Sequence, residues 1–207
     1  GIKYRNISIG SFGDISMFSL HTTKVFYTIE GGALTYSNTE LKPKLERLKN
    51  FGINGPEAVE YVGMNGKMNE FQAAMGICNL RHVDTEILKR KKIYERYLEK
   101  LNNIEGIKVF DIPSDVEFNY AYFPIFFDEV KFGKSRDRVV LELERNNIYP
   151  RKYFYPIISE YKCYRDYFNS ESTPIAKKVS ENILTLPLYA DLELDIVEKI
   201  CNIILKK

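Results

Sequence analysis

Tryptophan is absent from the chain, and histidine occurs only as His21 and His82. A histidine-based metal site is therefore not expected. Cysteine is confined to Cys78, Cys163 and Cys201, an odd number in no metal-binding spacing. That rules out a disulfide framework or a zinc cluster as the organising device. Cys78 and Cys201 fall in helical patterns among apolar neighbours, where a thiol behaves as a small hydrophobe, so both are expected as reduced core residues. No stretch approaches the ~18 consecutive apolar residues of a membrane helix, and the first residues lack the layout of a signal peptide. A cytoplasmic protein without a membrane partner is the expectation. Thirty basic against 28 acidic residues leave a formal charge of +2, too small a surplus to imply a nucleic-acid partner.

The chain has 207 residues, of which 44% are apolar and 28% charged. That composition is ordinary for a globular protein of one large domain or two small ones. Fifteen tyrosines and 13 phenylalanines supply the aromatic packing. Apolar runs at Ile7–Ile9 and Ile15–Leu20, divided by Gly-Ser-Phe-Gly-Asp, read as strand, turn and strand, and Ala33–Tyr36 as a further strand. Asn38 or Thr39 can cap a helix from Glu40 to about Asn50. A loop rich in Gly and Asn, Phe51–Met68, leads into a helix over Asn69–Arg81, and Asp84 can cap a longer one reaching Leu101. The run Lys89-Arg90-Lys91-Lys92 in that helix alternates with Glu86, Glu95 and Glu99 and reads as a solvated face. Beyond Ile107, strands are expected at Lys108–Phe110, Ala121–Phe127, Asn147–Tyr149 and Ile183–Leu188. Helices are expected at Ser135–Arg145, Pro174–Asn182 and Leu192–Leu205. This mixture predicts an α+β domain over 104–207, joined by the long helix to a first part over 1–103.

The densest signal lies between Gly10 and Gly32. Gly13-Asp14, Phe18-Ser19-Leu20, Lys24 and Glu30-Gly31-Gly32 stand in the order found in one family. So does Gly63-Met64-Asn65-Gly66-Lys67-Met68-Asn69-Glu70-Phe71-Gln72-Ala73-Ala74. A third element comprises Arg151-Lys152-Tyr153-Phe154-Tyr155-Pro156 with Leu186-Pro187-Leu188-Tyr189. On these motifs, spread over essentially the whole chain, the sequence resembles the DegT/StrS-type sugar-nucleotide aminotransferases. These are fold-type I pyridoxal-phosphate enzymes.

The resemblance implies an α/β fold: the end of a fold-type I PLP-dependent transferase large domain, followed by the small α+β domain. It implies pyridoxal 5'-phosphate as cofactor, held as a Schiff base by Lys24, which would also shuttle the substrate proton. Lysine suits that task because desolvation or nearby positive charge leaves part of it neutral and nucleophilic. Ser19 would donate its hydroxyl to the cofactor phosphate; the alternative is a strand-end serine in a turn. Asn65 would reach the phosphate of a neighbouring subunit's cofactor, giving a homodimer with a shared site, although Asn in a Gly-rich turn has its own conformational reason. His21 either lines the site or is a satisfied structural histidine. Glu30 is expected to steady the Gly31-Gly32 turn rather than transfer protons. Arg151, Tyr153 and Tyr155 would face the nucleotide-sugar, Arg151 because its planar fork pairs with two diphosphate oxygens, while the tyrosines could equally pack in the core.

The activity implied is amino transfer, with glutamate as donor, onto a keto-deoxysugar carried by a nucleoside diphosphate, dTDP above all, in the biosynthesis of cell-surface or antibiotic sugars. Lys24 disfavours the relatives that carry histidine there and act as dehydratases. Family members carry a long portion ahead of the lysine, whereas 23 residues precede Lys24 here, too few for a parallel sheet with crossover helices. A truncated chain is expected, and a catalytically silent dimerisation or assembly fragment, or a nucleotide-sugar-binding module, stays open. Asp14 belongs to the Gly-Asp pair and is not the partner of the cofactor's pyridine nitrogen. Three other patterns fail on context. Gly63-Met64-Asn65-Gly66 lacks the surrounding pattern of a KH module. Gly10-Ser11-Phe12-Gly13 opens no helix, and Ser19, His21 and Asp14 crowd together without a nucleophile elbow.

Overall fold

A computed structural model describes residues 1–206. The fold is mixed α/β, and contacts group the chain into two compact units. The first comprises Gly1–Glu86 with Pro113–Asn119; the second comprises Ile87–Ile112 with the residues from Tyr120 onward. Residues 113–119 thus group with the first unit, whereas the sequence reading places one cut at residue 104.

In the first unit, β1 (Lys3–Tyr4) and β2 (Ile7–Ser8) form a tight hairpin. Arg5 and Asn6 both take positive φ there, as the right-handed twist of such hairpins demands. β3 (Ile15–Ser19) pairs antiparallel with β4 (Gly32–Tyr36), in a register running from Ile15 opposite Tyr36 to Ser19 opposite Gly32. α1 (Leu41–Leu48) starts beside Asn38, whose Oδ1 accepts the Glu40 N–H at 2.9 Å. α2 (Glu70–Leu80) opens on a reciprocal cap. Asn69 Oδ1 accepts the Gln72 N–H at 2.9 Å and Gln72 Oε1 accepts the Asn69 N–H at 3.1 Å.

The chain continues through α3 (Val83–Leu101), whose buried residues Ile93, Tyr94, Tyr97 and Leu101 share one helical face. β5 (Ile107–Val109) follows. β6 (Val116–Glu117) groups with the first unit and pairs with β1. The second unit is built on β7 (Phe123–Phe127), the central strand of an antiparallel sheet in the order β5-β7-β8, with β8 at Ile183–Leu186. Phe123, Ile125 and Phe127 alternate into the core. α4 (Glu129–Phe132), α5 (Arg136–Glu144), α6 (Pro174–Asn182) and α7 (Leu194–Leu205) complete the unit, with α5 packed on α7. Tyr97 stacks on Phe123 with centroids 4.9 Å apart and donates its hydroxyl to the Pro187 carbonyl at 2.9 Å.

Every buried apolar side chain from Ile93 onward belongs to this second core. In the first unit no large apolar side chain among the described residues is fully buried: Phe18 and Phe26 are half-buried, while Met17 on β3 is 74% exposed and Phe71 on α2 is 86% exposed.

The expected strand at Asn147–Tyr149 does not form. Asn147 adopts φ 59°, and the backbone closes α5: Ile148 N–H donates to the Leu143 carbonyl at 3.1 Å and Asn147 N–H to the Glu144 carbonyl at 2.9 Å. This paired closure of a helix end consumes the donors a strand would need. Extended pairing resumes only as a bridge between Arg151 and Thr185. The cysteine expectation is half corrected: Cys201 is buried, its thiol pushed up to about 12 by burial, but Cys78 is exposed because its helix lies in the first unit.

Arg136 is the largest side chain wholly inside the second core, at 2% exposure. Its Nη1 donates to the carbonyls of Ser180 at 3.0 Å and Ile183 at 3.1 Å, and its Nε to Asp137 Oδ1 at 2.7 Å. The Ser180 carbonyl lies in the last turn of α6, where no intrahelical donor remains, and the Ile183 carbonyl opens β8. Replacement by Met should leave them unsatisfied and cost about 3 kcal/mol, measurable as a lower urea midpoint at unchanged slope. Asp137 and Glu142 also carry acid sensitivity. Burial raises each, but the bonds to Lys152 and Arg136, and to Lys134 and Arg138, outweigh it and hold both below the usual carboxylate range. Their stabilisation is complete above an unfolded value of about 4 and is lost as pH falls through the lowered folded values. Thermal midpoints measured from pH 6 to pH 3 should fall, and D137N should flatten that fall.

Candidate active site

Between β3 and β4 the chain leaves the hairpin and returns, and Lys24 sits on that excursion. Leu20 closes its neck twice: its N–H donates to the Gly31 carbonyl and its carbonyl accepts the Thr28 N–H, both at 2.9 Å. Thr28 is buried and donates its hydroxyl to the Glu30 carbonyl at 2.7 Å. Between them Ile29 is held at φ 68°, a conformation that β-branched residues rarely adopt. A Cβ on Gly31 would collide with the Thr28 hydroxyl and come within 2.9 Å of the Met68 methyl. Only glycine fits at that return.

α2 braces the same loop at two points. Asn79 Nδ2 donates to the Tyr27 carbonyl at 3.0 Å, and a Cβ on Gly76 would approach the Thr28 methyl to 2.8 Å. A glycine inside a helix costs about 1 kcal/mol against alanine, and close approach of the loop accounts for it here. The Gly-Met-Asn-Gly motif and the lysine motif are therefore one physical assembly, joined through Met68 and α2.

Ser19 ends β3, and among the described residues its hydroxyl oxygen accepts only a long 3.5 Å bond from the His21 N–H. Lys24 is half-buried and its N–H donates to the His21 carbonyl at 2.9 Å; its amine forms no ion pair among the described residues. Asn65 is exposed and bridges Asn50. The loop around it is fixed by backbone against backbone: a Cβ on Gly63 would strike the Gly52 nitrogen and the Leu48 carbonyl. Ser19, at the end of β3, and the Lys24 backbone are thus each hydrogen-bonded to His21, with Asn65 on the loop before Met68.

In the second unit, the Arg151 backbone exchanges two hydrogen bonds with Thr185, at 3.0 and 2.8 Å, which seats the third motif on β8. The Arg151 guanidinium lies 5.7 Å from the Tyr153 ring centroid, and Tyr153 stacks on Phe154 at 4.6 Å and meets Tyr122 edge-on at 5.7 Å. Tyr155 covers the Arg136 guanidinium at 4.9 Å, while Lys152 pairs with Asp137 at 2.5 Å. Tyr153, Phe154, Ile158, Phe168 and Ile175 line a groove of 1030 Å³ in this unit.

Lys24, Ser19 and Asn65 stand out in the sequence, whereas Thr28, Gly76 and Asn79, which brace the loop, do not. An interior helix glycine was the available signal for one of them. Nothing in the local sequence marks Thr28.

The model of the DegT/DnrJ/EryC1/StrS aminotransferase family matches residues 1–205. The chain belongs to that family. Among curated relatives, a dTDP-4-amino-4,6-dideoxy-D-glucose transaminase of Shigella dysenteriae is 38% identical over 205 residues, covering 99% of this chain and 55% of the relative. A transaminase of the same name from Escherichia coli is 42% identical over 180 residues, covering 86% of this chain and 48% of the relative. Among solved structures, DesI in the presence of its TDP-sugar product superposes with TM-score 0.90 at 28% identity, over 100% of this chain and 53% of that one. Helicobacter pylori PseC shares the fold, with TM-score 0.89 at 24% identity, over 99% of this chain and 56% of that one. The chain spans about half the length of the curated family members it matches.

Exchange of Gly76 for Val should push Thr28 off α2 and loosen the neck of the lysine loop. In hydrogen-exchange mass spectrometry, the peptide holding the Thr28 amide should exchange faster by roughly tenfold. Unchanged exchange there, with the helix intact, would show that the brace is dispensable.

Proposed function

We propose that this chain carries the lysine-bearing part of a pyridoxal-phosphate-dependent aminotransferase that acts on a nucleoside-diphosphate-linked keto-deoxysugar, dTDP-linked in the first instance, with glutamate as amino donor. The observation that carries this reading is the placement of Lys24. Its amine lies on a braced loop, unpaired with any carboxylate among the described residues, one strand end away from a serine hydroxyl with little else to bond. That donor set fits pyridoxal phosphate: an amine for the aldehyde and a hydroxyl for the phosphate. The names of the Shigella and E. coli relatives favour the dTDP-sugar.

On this reading the bound cofactor supplies the electron sink. Ser19 donates to its phosphate. The Nζ of Lys24 holds it, then takes and returns the proton at the reacting carbon. Arg151, with Tyr153 and Tyr155, meets the nucleotide-sugar, the guanidinium pairing with diphosphate oxygens. Residues 1–103 belong to the large cofactor domain with its linking helix and 104–207 to the small domain. Asn65 reaches the cofactor phosphate of a partner subunit in a homodimer. No helix among the described residues is long and apolar enough to cross a membrane, and the setting proposed is cytoplasmic.

A second reading, a silent assembly fragment or nucleotide-sugar-binding module, draws on the first unit's outward apolar side chains. Incubation with pyridoxal phosphate, borohydride reduction and peptide mapping separates the two. A single stable adduct on Lys24, lost in K24A, is expected. No adduct on Lys24, even with the amino-terminal half of a relative supplied, would favour the silent module.

A further inference from the structure

The imidazole of His21 is hydrogen-bonded at Nδ1 inside the lysine loop and has a carboxylate near Nε2. Nδ1 accepts the Thr23 backbone N–H at 3.2 Å and lies 2.9 Å from Thr23 Oγ1. Nε2 lies 3.2 Å from Glu30 Oε1. A backbone amide can only donate, so Nδ1 must present a lone pair, and the ring proton belongs on Nε2, facing the carboxylate. The His21 carbonyl meanwhile accepts the Lys24 N–H at 2.9 Å. One residue therefore accepts from two of the amides of the turn that delivers Lys24, those of Thr23 and Lys24. The arrangement copies an Asx turn, in which a side-chain acceptor takes the N–H two residues on.

We propose that Glu30, His21 and Thr23 form a positioning clamp that fixes the backbone at Lys24, so that His21 acts through the lysine rather than on the substrate. This rests on the reading of Lys24 as the cofactor lysine. A substrate ligand or proton carrier needs a ring nitrogen to spare; Nδ1 is taken by the Thr23 amide, and Nε2 has the Glu30 carboxylate 3.2 Å away. The amine rides on a long flexible stem, and its encounter with an aldehyde depends on where that stem begins. The His21 and Glu30 side chains are 43% and 62% exposed, so their attraction alone contributes little. The Thr23 amide is the contact that selects the tautomer, and Glu30 holds the ring against it.

The clamp is testable without cofactor. In 15N NMR of the full chain, with His82 assigned by its loss in H82Q, His21 should show a protonated Nε2 and an unprotonated Nδ1. The opposite tautomer, or fast averaging between the two, would overturn the clamp. A second measurement follows the rate at which pyridoxal phosphate becomes reducible onto Lys24. H21A should slow it roughly tenfold. H21N, whose amide oxygen can take the Thr23 N–H, should recover it to within about threefold of the unsubstituted chain. Equal slowing in H21N and H21A would refute positioning. If the unsubstituted chain forms no adduct even with the amino-terminal half of a relative supplied, the cofactor reading fails while the tautomer still decides on the clamp. The tautomer, read on the unsubstituted chain, also stands should H21A misfold.

Discussion

The close approach of Thr28 to Gly76 is the contact on which the candidate site depends. A buried threonine at the neck of the lysine loop meets a helix at the one residue without a side chain. Its amide, hydroxyl and methyl each do something different: the amide closes the loop to Leu20, the hydroxyl holds the return at Glu30, and the methyl rests on α2. Neither member carries chemistry. Together with the bond from Asn79 to the Tyr27 carbonyl, they set where Ser19, His21 and Lys24 can be. A reactive group on a loop gains precision from the rigid elements behind it, and here that element is the helix that also begins at the family's second motif.

The second unit uses a different device for the same end. Its sheet and helices bury a continuous apolar core, and within it the Arg136 guanidinium holds the end of α6 against the start of β8. β8 in turn seats the Arg151 backbone. The loop of aromatic residues after Arg151 is thus tied, through backbone hydrogen bonds, to a buried cation whose charge is shared between carbonyls, Asp137 and the face of Tyr155.

Much of this was legible in the amino-acid order. The helix over Pro174–Asn182 appears with the bounds that its proline and its periodicity indicate, and Ser135 caps α5 through the Arg138 N–H. Helices and strands with strong periodicity report their own existence because one face must be buried. The failures are where a local signal competes with another local signal. Asn147–Tyr149 has strand-like composition, yet an asparagine able to take positive φ closes the preceding helix instead. The two-residue strands β1 and β6 carry no period at all and arise from pairing between distant segments. At the site, the motif residues could be named from the family pattern. The braces could not, because contacts such as Thr28 with Gly76 join residues far apart in the sequence and leave no trace in either neighbourhood. Cys78 shows the remaining gap: helical periodicity identifies an apolar face but not whether anything lies upon it.

A layer that turns Met17 and Phe71 to solvent draws little of its order from burying its own side chains. Its conformational equilibrium is then linked to whatever occupies that face, growing with the logarithm of the occupant's concentration once its dissociation constant is exceeded. The lysine loop hangs from this layer, so occupancy of that face would stiffen the segment that carries Lys24 through binding linkage rather than through the loop's own contacts.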